Sequence, residues 1–156
     1  MDRVVRAWRL VRPRFGTREA AFSGEGARRF GGRWNSPGDA VVYTSATLSL
    51  AALEMLAHAE RGSVRRDWVA FSVSAPGRQV MELRSGDLPE DWRDRPTSAG
   101  ARAVGDAWLT QAPSAALLVP SVLVPQERTL LLNPAHPAFG EVEIGPATPF
   151  RFDARL

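Results

Sequence analysis

Apolar residues occur in short runs separated by proline and glycine, and this pattern restricts the fold more than any other feature of the sequence. In the last third of the chain the interrupting residues are Pro120, Pro125, Pro134 and Pro137. Short apolar runs that are bounded by turn residues are typical of β-strands. The strands predicted in this part of the chain are residues 116–119, 129–132, 142–144 and 150–152.

The rest of the chain combines further strands with two helices. Residues 47–59 carry apolar side chains at helical spacing. Residues 101–111 predict a second helix, which Gly105 weakens by about 1 kcal/mol relative to alanine. The other predicted strands are residues 4–10, 40–44, 68–74 and 79–83. No repeat or linker interrupts the sequence, so we predict an α+β fold, richer in strand than in helix, with residues 1–156 as a single compact domain.

Several classes of protein are excluded by what the 156 residues lack. There is no cysteine, which excludes a disulfide scaffold and a thiolate zinc site. His58 and His136 are not spaced as metal ligands, so we expect no metal. Phosphate-binding glycine motifs and the serine-hydrolase elbow are absent. Apolar stretches fall far short of the roughly 18 residues that cross a bilayer, which predicts a cytoplasmic protein with no membrane segment.

The basic residues are all arginines, and they are concentrated at the N-terminus. All 20 are arginine, and residues 1–36 hold nine of them against three acidic residues, although the net charge of the chain is only +3. A GC-rich genome accounts for this composition, while arginine also binds phosphate through a bidentate fork that lysine lacks. A basic nucleic-acid-binding module is a second interpretation, but few aromatic side chains are interleaved with these arginines to stack on bases.

One glycine-rich segment, residues 23–38 (SGEGARRFGGRWNSPG), concentrates turn-forming residues and is predicted to be a loop, with Arg33 as its most informative residue. Gly31 and Gly32 precede Arg33, and glycine lets the backbone come close to a ligand. The polar turn that follows would fix the direction of the guanidinium group. Arg33 could therefore bind an anion, or it could be a solvated arginine on a surface turn. The residue types alone leave both interpretations open.

Two polar residues lie within apolar segments. Glu54 interrupts an otherwise apolar helix, and buried carboxylates are rare unless they are paired. It either faces a cleft or lies in water between two apolar stripes. Ser121 supplies the one hydroxyl group between Pro120 and Pro125, and it could simply hydrogen-bond its own backbone.

Taken in order, these three segments resemble the RES domain family, whose members are toxins of bacterial toxin–antitoxin pairs. The family is named for an arginine, a glutamate and a serine. The resemblance covers nearly the whole chain. The motifs that carry it are Trp8-Arg9, SGEGARRFGGRWNSPG at 23–38, VVYTS at 41–45, LAALE at 50–54, DLPEDWR at 87–93, GDAWL at 105–109, VPSVLVPQE at 119–127, LLNPAHP at 131–137 and PFRFD at 149–153. Trp8 departs from the tyrosine that is usual in the family.

The resemblance implies a fold, an activity and a partner. The fold would be like that of ADP-ribosyltransferases related to diphtheria toxin, and the activity would be the breakdown of NAD⁺, used as a substrate without any metal. Arg33, Glu54 and Ser121 match the catalytic residues of the family, while Arg9, Arg33, Tyr43 and Ser121 would bind NAD⁺. The partner would be an Xre-like helix-turn-helix antitoxin that inhibits the toxin in a type II toxin–antitoxin system.

The chemistry of these residues agrees with the implied activity. Cleavage of the nicotinamide–ribose bond develops positive charge on the ribose, which a carboxylate such as Glu54 stabilises. Arg9 and Arg33 would neutralise the pyrophosphate, Tyr43 would pack on nicotinamide, and Ser121 would hydrogen-bond the carboxamide or the ribose. The acceptor stays open: water gives a glycohydrolase, inorganic phosphate a phosphorylase, and a protein side chain a mono-ADP-ribosyltransferase. We favour depletion of free NAD⁺, which would halt growth.

Overall fold

A computed structural model describes residues 3–58 and 66–156, and a mixed sheet of eight strands runs through these residues. The strands are β1 (Val4–Val11), β2 (Val42–Ser45), β3 (Trp68–Pro76), β4 (Val80–Glu82), β5 (Ala116–Pro120), β6 (Arg128–Leu132), β7 (Glu143–Ile144) and β8 (Thr148–Phe150). Their order across the sheet is β4-β5-β6-β2-β1-β3-β7, and β8 also pairs with β3. β4 and β5 are parallel, whereas the other pairs are antiparallel.

The α-helices in the described part of the chain are α1 (Arg18–Ala21), α2 (Glu25–Phe30), α3 (Leu48–His58) and α4 (Ala99–Gln111). The side chain of Thr47 caps α3 by accepting the Leu50 N–H at 3.0 Å. Ser98 caps α4 by accepting the Ala101 N–H at 3.0 Å. Both predicted helices are therefore confirmed, although Ala59, the predicted end of the first, lies outside the described residues. None of the described helices has the length and apolar character needed to span a membrane.

Both faces of the sheet are covered by apolar side chains, because successive residues of a strand point to opposite faces. On β6, Leu130 and Leu132 pack with Phe71 in one cluster, whereas Leu131 packs with Trp108 of α4 on the other face. α3 packs on β1 through Ala51, on the same face as α4. A gap is left on this face, above β2 and between the two helices.

The fold class is confirmed as α+β, and a few element boundaries differ from the prediction. The segment at 23–38, predicted as a loop, contains α2. The predicted strand at 79–83 is shorter, because Gln79 belongs to a preceding 3₁₀ turn. The predicted strand at 150–152 is β8, which ends at Phe150; Phe152 is instead buried against Trp68. Strand and α-helix occupy similar numbers of described residues, so the predicted excess of strand is small.

Candidate active site

A cleft of about 960 Å³ opens in the gap between α3 and α4, above β1, β2 and β6. This volume lies within the range of pockets that bind small molecules and cofactors. Of the residues that the structure describes, the arginines that line the cleft are Arg9, Arg33, Arg95 and Arg102. Glu54 is the one carboxylate among those described lining residues. The cleft is therefore strongly cationic, which favours an anionic ligand.

The turn at residues 31–38, called the glycine loop below, presents Arg33 to the cleft. The loop passes the hydroxyl end of Tyr43, and a Cβ atom at Gly32 would lie 2.6 Å from the tyrosine oxygen. Any larger residue at this position would displace either the loop or the ring. The close approach that was predicted for this glycine is thus made to a side chain of the protein itself.

The hydroxyl group of Tyr43 is fully engaged by the glycine loop. It accepts the backbone N–H of Trp34 at 2.9 Å and donates to Oδ1 of Asn35 at 2.7 Å. Asn35 is completely buried, and its amide donates to the carbonyl of Ala27 at 2.9 Å. Burial raises the pKa of Tyr43, so the phenol stays neutral. The tyrosine therefore offers the cleft its ring rather than its hydroxyl.

The guanidinium group of Arg33 is half-buried on the cleft wall. It donates to the backbone carbonyls of Trp92 (3.5 Å) and of Asp94. Burial lowers the pKa of Arg33, and the nearby charge of Arg95 lowers it further. An anion bound here would relieve this repulsion between like charges.

Glu54 projects from α3 into the cleft, with 25% of its side chain exposed. Burial raises the pKa of its carboxyl group. Three neighbours act in the opposite direction: the Ser121 hydroxyl, which donates to Oε1 at 3.2 Å, His58, whose Nε2 lies 3.8 Å from Oε2, and the more distant charge of Arg33. Of the two positions that the sequence leaves open, the structure places Glu54 in the cleft.

Ser121 lies behind Glu54 and is not among the residues that line the cleft. Only 1% of the residue is exposed. Its oxygen accepts the backbone N–H groups of Leu123 and Val124, both at 3.2 Å, and its hydroxyl proton is donated to Glu54. The hydroxyl group is therefore held in one orientation, directed at the carboxylate.

Arg9, which lines the cleft, joins the end of α1 to β2. It donates from Nε to the carbonyl of Ala21 at 2.6 Å and from Nη1 to the carbonyl of Tyr43 at 3.0 Å. Burial lowers its pKa to about 10, so the side chain remains charged at neutral pH. Trp8, the neighbouring residue on β1, also lines the cleft.

Three charged or titratable lining residues were not predicted from the sequence, namely His58, Arg95 and Arg102. Arg95 stands in no recognisable motif, whereas the helical spacing of His58, four residues after Glu54, places the two side chains side by side. Arg102 lies one helical turn before Gly105, and a glycine inside a helix often marks close packing of that face. That glycine is the signal that could have identified Arg102.

The histidines lie apart and have separate surroundings. His58 neighbours Glu54, whereas the ring of His136 contacts the Ala112 carbonyl at 3.1 Å and accepts the Ala138 N–H at 2.9 Å. Within residues 3–58 and 66–156, no group of three or more His, Asp or Glu side chains is placed to hold a metal ion.

Comparison with known proteins gives concordant results. A family model described as RES domain matches residues 6–153. A protein of Yersinia enterocolitica called Toxin Res is 39% identical over 139 residues, which are 88% of this chain and 91% of that protein. A protein of Sphingobium sp. called Prs ADP-ribosylating toxin is 34% identical over 137 residues, covering 86% of this chain and 85% of that one.

A solved structure has a similar fold. One chain in the crystal structure of the M. tuberculosis MbcT–MbcA toxin–antitoxin complex superposes with a TM-score of 0.77. The superposition covers 97% of the present chain and 86% of the other, at 21% sequence identity. At this level of identity the similarity concerns the fold.

Proposed function

The chain belongs to the RES domain family, and on that basis we propose that it is a toxin that depletes NAD⁺ by cleaving the bond between nicotinamide and ribose. The resemblance that the three sequence segments predict is thereby confirmed at the level of the family. The observation that carries the proposed activity is that a single cleft contains Glu54 together with Arg9 and Arg33.

In the proposed reaction, the bond from C1′ of the ribose to the nicotinamide nitrogen breaks, and its electron pair leaves with the neutral nicotinamide. An oxygen nucleophile then bonds to C1′ and releases its proton. The positive charge that develops on the ribose is stabilised by an anion. Glu54 is suited to this role because it faces the cleft, and no acid is required for a neutral leaving group.

The arginines are suited to the pyrophosphate of the dinucleotide. Arg9 uses two of its N–H groups on the carbonyls of Ala21 and Tyr43, so the others remain for a ligand. Arg33 adds a second guanidinium group, and forked donors match phosphate oxygens well. The ring of Tyr43 is placed to pack on nicotinamide, as its hydroxyl is already engaged.

For Ser121 we propose an orienting role instead of direct contact with NAD⁺. The family resemblance alone implies a hydrogen bond to the carboxamide or the ribose. Two observations favour orientation: the residue is 1% exposed, and its proton is donated to Glu54. A hydrogen bond to the ionised form of a carboxyl group lowers its pKa, so Ser121 keeps Glu54 available as an anion.

A second candidate function is mono-ADP-ribosylation of a protein. The name of the Sphingobium relative, an ADP-ribosylating toxin, favours it. The same bond to nicotinamide breaks, and a protein side chain replaces water or phosphate as the nucleophile.

We also propose an antitoxin partner, of the Xre-like helix-turn-helix type. The structural relative comes from a toxin–antitoxin complex, which supports such a partner. A cationic cleft favours a segment that ends in acidic side chains or a carboxylate. Reversing the charge of that segment should then abolish inhibition.

The first test is consumption of NAD⁺ by the purified protein, with and without inorganic phosphate. We expect the wild type to consume NAD⁺ and Arg33→Ala and Glu54→Gln to lose about 100-fold or more in rate, because each change removes a charge that the transition state requires. A dependence on phosphate identifies a phosphorylase, and independence identifies a glycohydrolase.

Matched controls are Arg6→Ala and Glu19→Gln, which remove the same groups from exposed positions on β1 and α1. Both should keep wild-type activity, and circular dichroism checks that all variants fold. Consumption that requires an added target protein would favour the transferase. Absence of any consumption or transfer by the folded wild type would refute the proposed activity.

A further inference from the structure

A carboxylate on α4 holds the far end of the glycine loop. Asp106 accepts the backbone N–H of Ser36 at Oδ1 (2.8 Å) and the hydroxyl of Ser36 at Oδ2 (2.6 Å). Hydrogen bonds to a charged acceptor are roughly twice as strong as those between neutral groups. Asp106 is half-buried and is not among the residues that line the cleft. Its carboxylate is therefore engaged with the loop.

Two further residues of α4 contact the same loop. Arg102 donates from Nε to the carbonyl of Gly32 at 3.3 Å. The backbone at Gly105 is so close that a Cβ atom there would lie 1.6 Å from the carbonyl oxygen of Trp34. These contacts fall on the residues immediately before and after Arg33, so α4 sets the position of the backbone from which the arginine projects.

The other side of the loop is held by neutral groups. Tyr43 accepts the backbone N–H of Trp34 at 2.9 Å and donates to the Asn35 side chain at 2.7 Å. The Gly38 N–H donates to the Arg28 carbonyl at 2.8 Å. Among the described contacts of the loop backbone, Asp106 supplies the charged acceptor. Its loss would free Ser36, three residues after Arg33, while the Tyr43 side remains attached.

We propose that Asp106 is a positioning residue, which fixes the glycine loop so that Arg33 meets the bound anion in a single geometry. This inference rests on the proposed function, because the anion is taken to be the pyrophosphate of NAD⁺. Asp106 acts through Ser36 and touches no substrate. Displacement of a binding group by about 1 Å costs up to 100-fold, so removal of the carboxylate should cost roughly 10–100-fold in kcat/KM.

The kinetic test compares Asp106→Ala with Asp106→Asn. The asparagine amide can still accept the Ser36 N–H and donate to the Ser36 hydroxyl, so it should restore most of the activity that alanine loses. We expect the loss in Asp106→Ala to appear as a higher KM, because the pyrophosphate is remote from the bond that breaks. A merely structural defect would reduce the amount of active enzyme and lower kcat at an unchanged KM.

The matched control is Glu90→Ala, which removes an exposed carboxylate from the segment before α4. Hydrogen exchange of the amides at 31–38 supplies a readout that needs no activity: it should accelerate in Asp106→Ala and remain unchanged in Glu90→Ala. The proposal is overturned if the amides at 31–38 exchange faster in Asp106→Ala while its KM stays unchanged. It is also overturned if their exchange does not change in this variant. If the wild type consumes no NAD⁺ and exchange still accelerates only in Asp106→Ala, the proposed function fails while the attachment of the loop stands.

Discussion

The carboxyl group of Glu54 lies largely out of water on the wall of the cleft, and burial raises its pKa. The folded chain consequently holds this proton more tightly than the unfolded chain does. The associated stability is fully present below the unfolded-state pKa and decreases as the pH rises through the folded-state pKa. Ionisation of Glu54, which the proposed reaction needs, therefore costs more free energy in the folded protein than in the unfolded chain.

The hydrogen bond from Ser121 opposes that cost, and its removal gives a test at the scale of one residue. Ser121→Ala should raise the pKa of Glu54 further, because the ionised carboxylate loses a donor. The acidic limb of the profile of kcat/KM against pH should then move to higher pH, while activity well above the pKa falls only a few-fold.

Ser49→Ala is the control, since it removes an exposed serine hydroxyl from the same helix as Glu54. Its acidic limb should coincide with that of the wild type. A Ser121→Ala enzyme with an unshifted limb and a large increase in KM would instead assign Ser121 to direct binding of NAD⁺.

α4 illustrates how the packing of an element overrides its local preferences. Gly105 lowers the intrinsic stability of this helix by about 1 kcal/mol relative to alanine. Packing requires glycine at this position, because only a residue without a Cβ atom lets the helix backbone lie against the carbonyl of Trp34. The sequence shows the unfavourable residue, and the structure shows the contact that requires it.

Gly105→Ala should therefore destabilise the protein despite its better helix propensity. A Cβ atom 1.6 Å from a backbone oxygen cannot be accommodated without a shift of the helix, so we expect about 2 kcal/mol less free energy of unfolding. Gly26→Ala in α2 is the matched control, because no atom lies within 4 Å of its added Cβ, and it should add roughly 0.5–1 kcal/mol. Urea unfolding followed by tryptophan fluorescence measures both; equal effects would contradict this account.

Periodic elements could be predicted from the sequence, and long-range placement could not. α3 and α4 have helical apolar spacing and were found, whereas α2 has six residues including Gly26 and no apolar stripe. The sheet order depends on pairs such as Thr44 with Leu130, which local patterns do not encode.

The site shows the same division between local pattern and long-range contact. Arg33, Glu54 and Ser121 are predicted as site residues through the family resemblance, since nothing local joins Glu54 to a serine 67 positions away. Arg95 lies outside every motif, and Asp106 stands in the GDAWL motif without any role that the motif indicates. Both enter the account only through the positions of α4 and the segment before it.

At the scale of the whole molecule, the net charge of +3 understates the electrostatics of the cleft. Arginines from β1, the glycine loop, the segment before α4 and α4 itself converge on one cavity. Low-dielectric walls concentrate their field, which attracts an anionic ligand such as the proposed dinucleotide.

The KM for NAD⁺ should therefore depend on salt. Raising the salt concentration from about 0.1 M to about 1 M shortens the screening length from about 10 Å to about 3 Å, and we expect KM to rise several-fold with little change in kcat. Product inhibition by nicotinamide, which is neutral, serves as the control and should change less than twofold. Equal salt effects on both ligands would argue against electrostatic recognition.

The order of the strands also has a consequence for biosynthesis. β2, which carries Tyr43, is held between β1 and β6, and β6 begins only at Arg128. A ribosome that has reached residue 110 has already made Arg9, Arg33 and Glu54, but neither β6 nor Ser121. The cleft therefore assembles only after β6 has been translated, so a nascent chain that stops short of Arg128 lacks the strand that holds one side of β2.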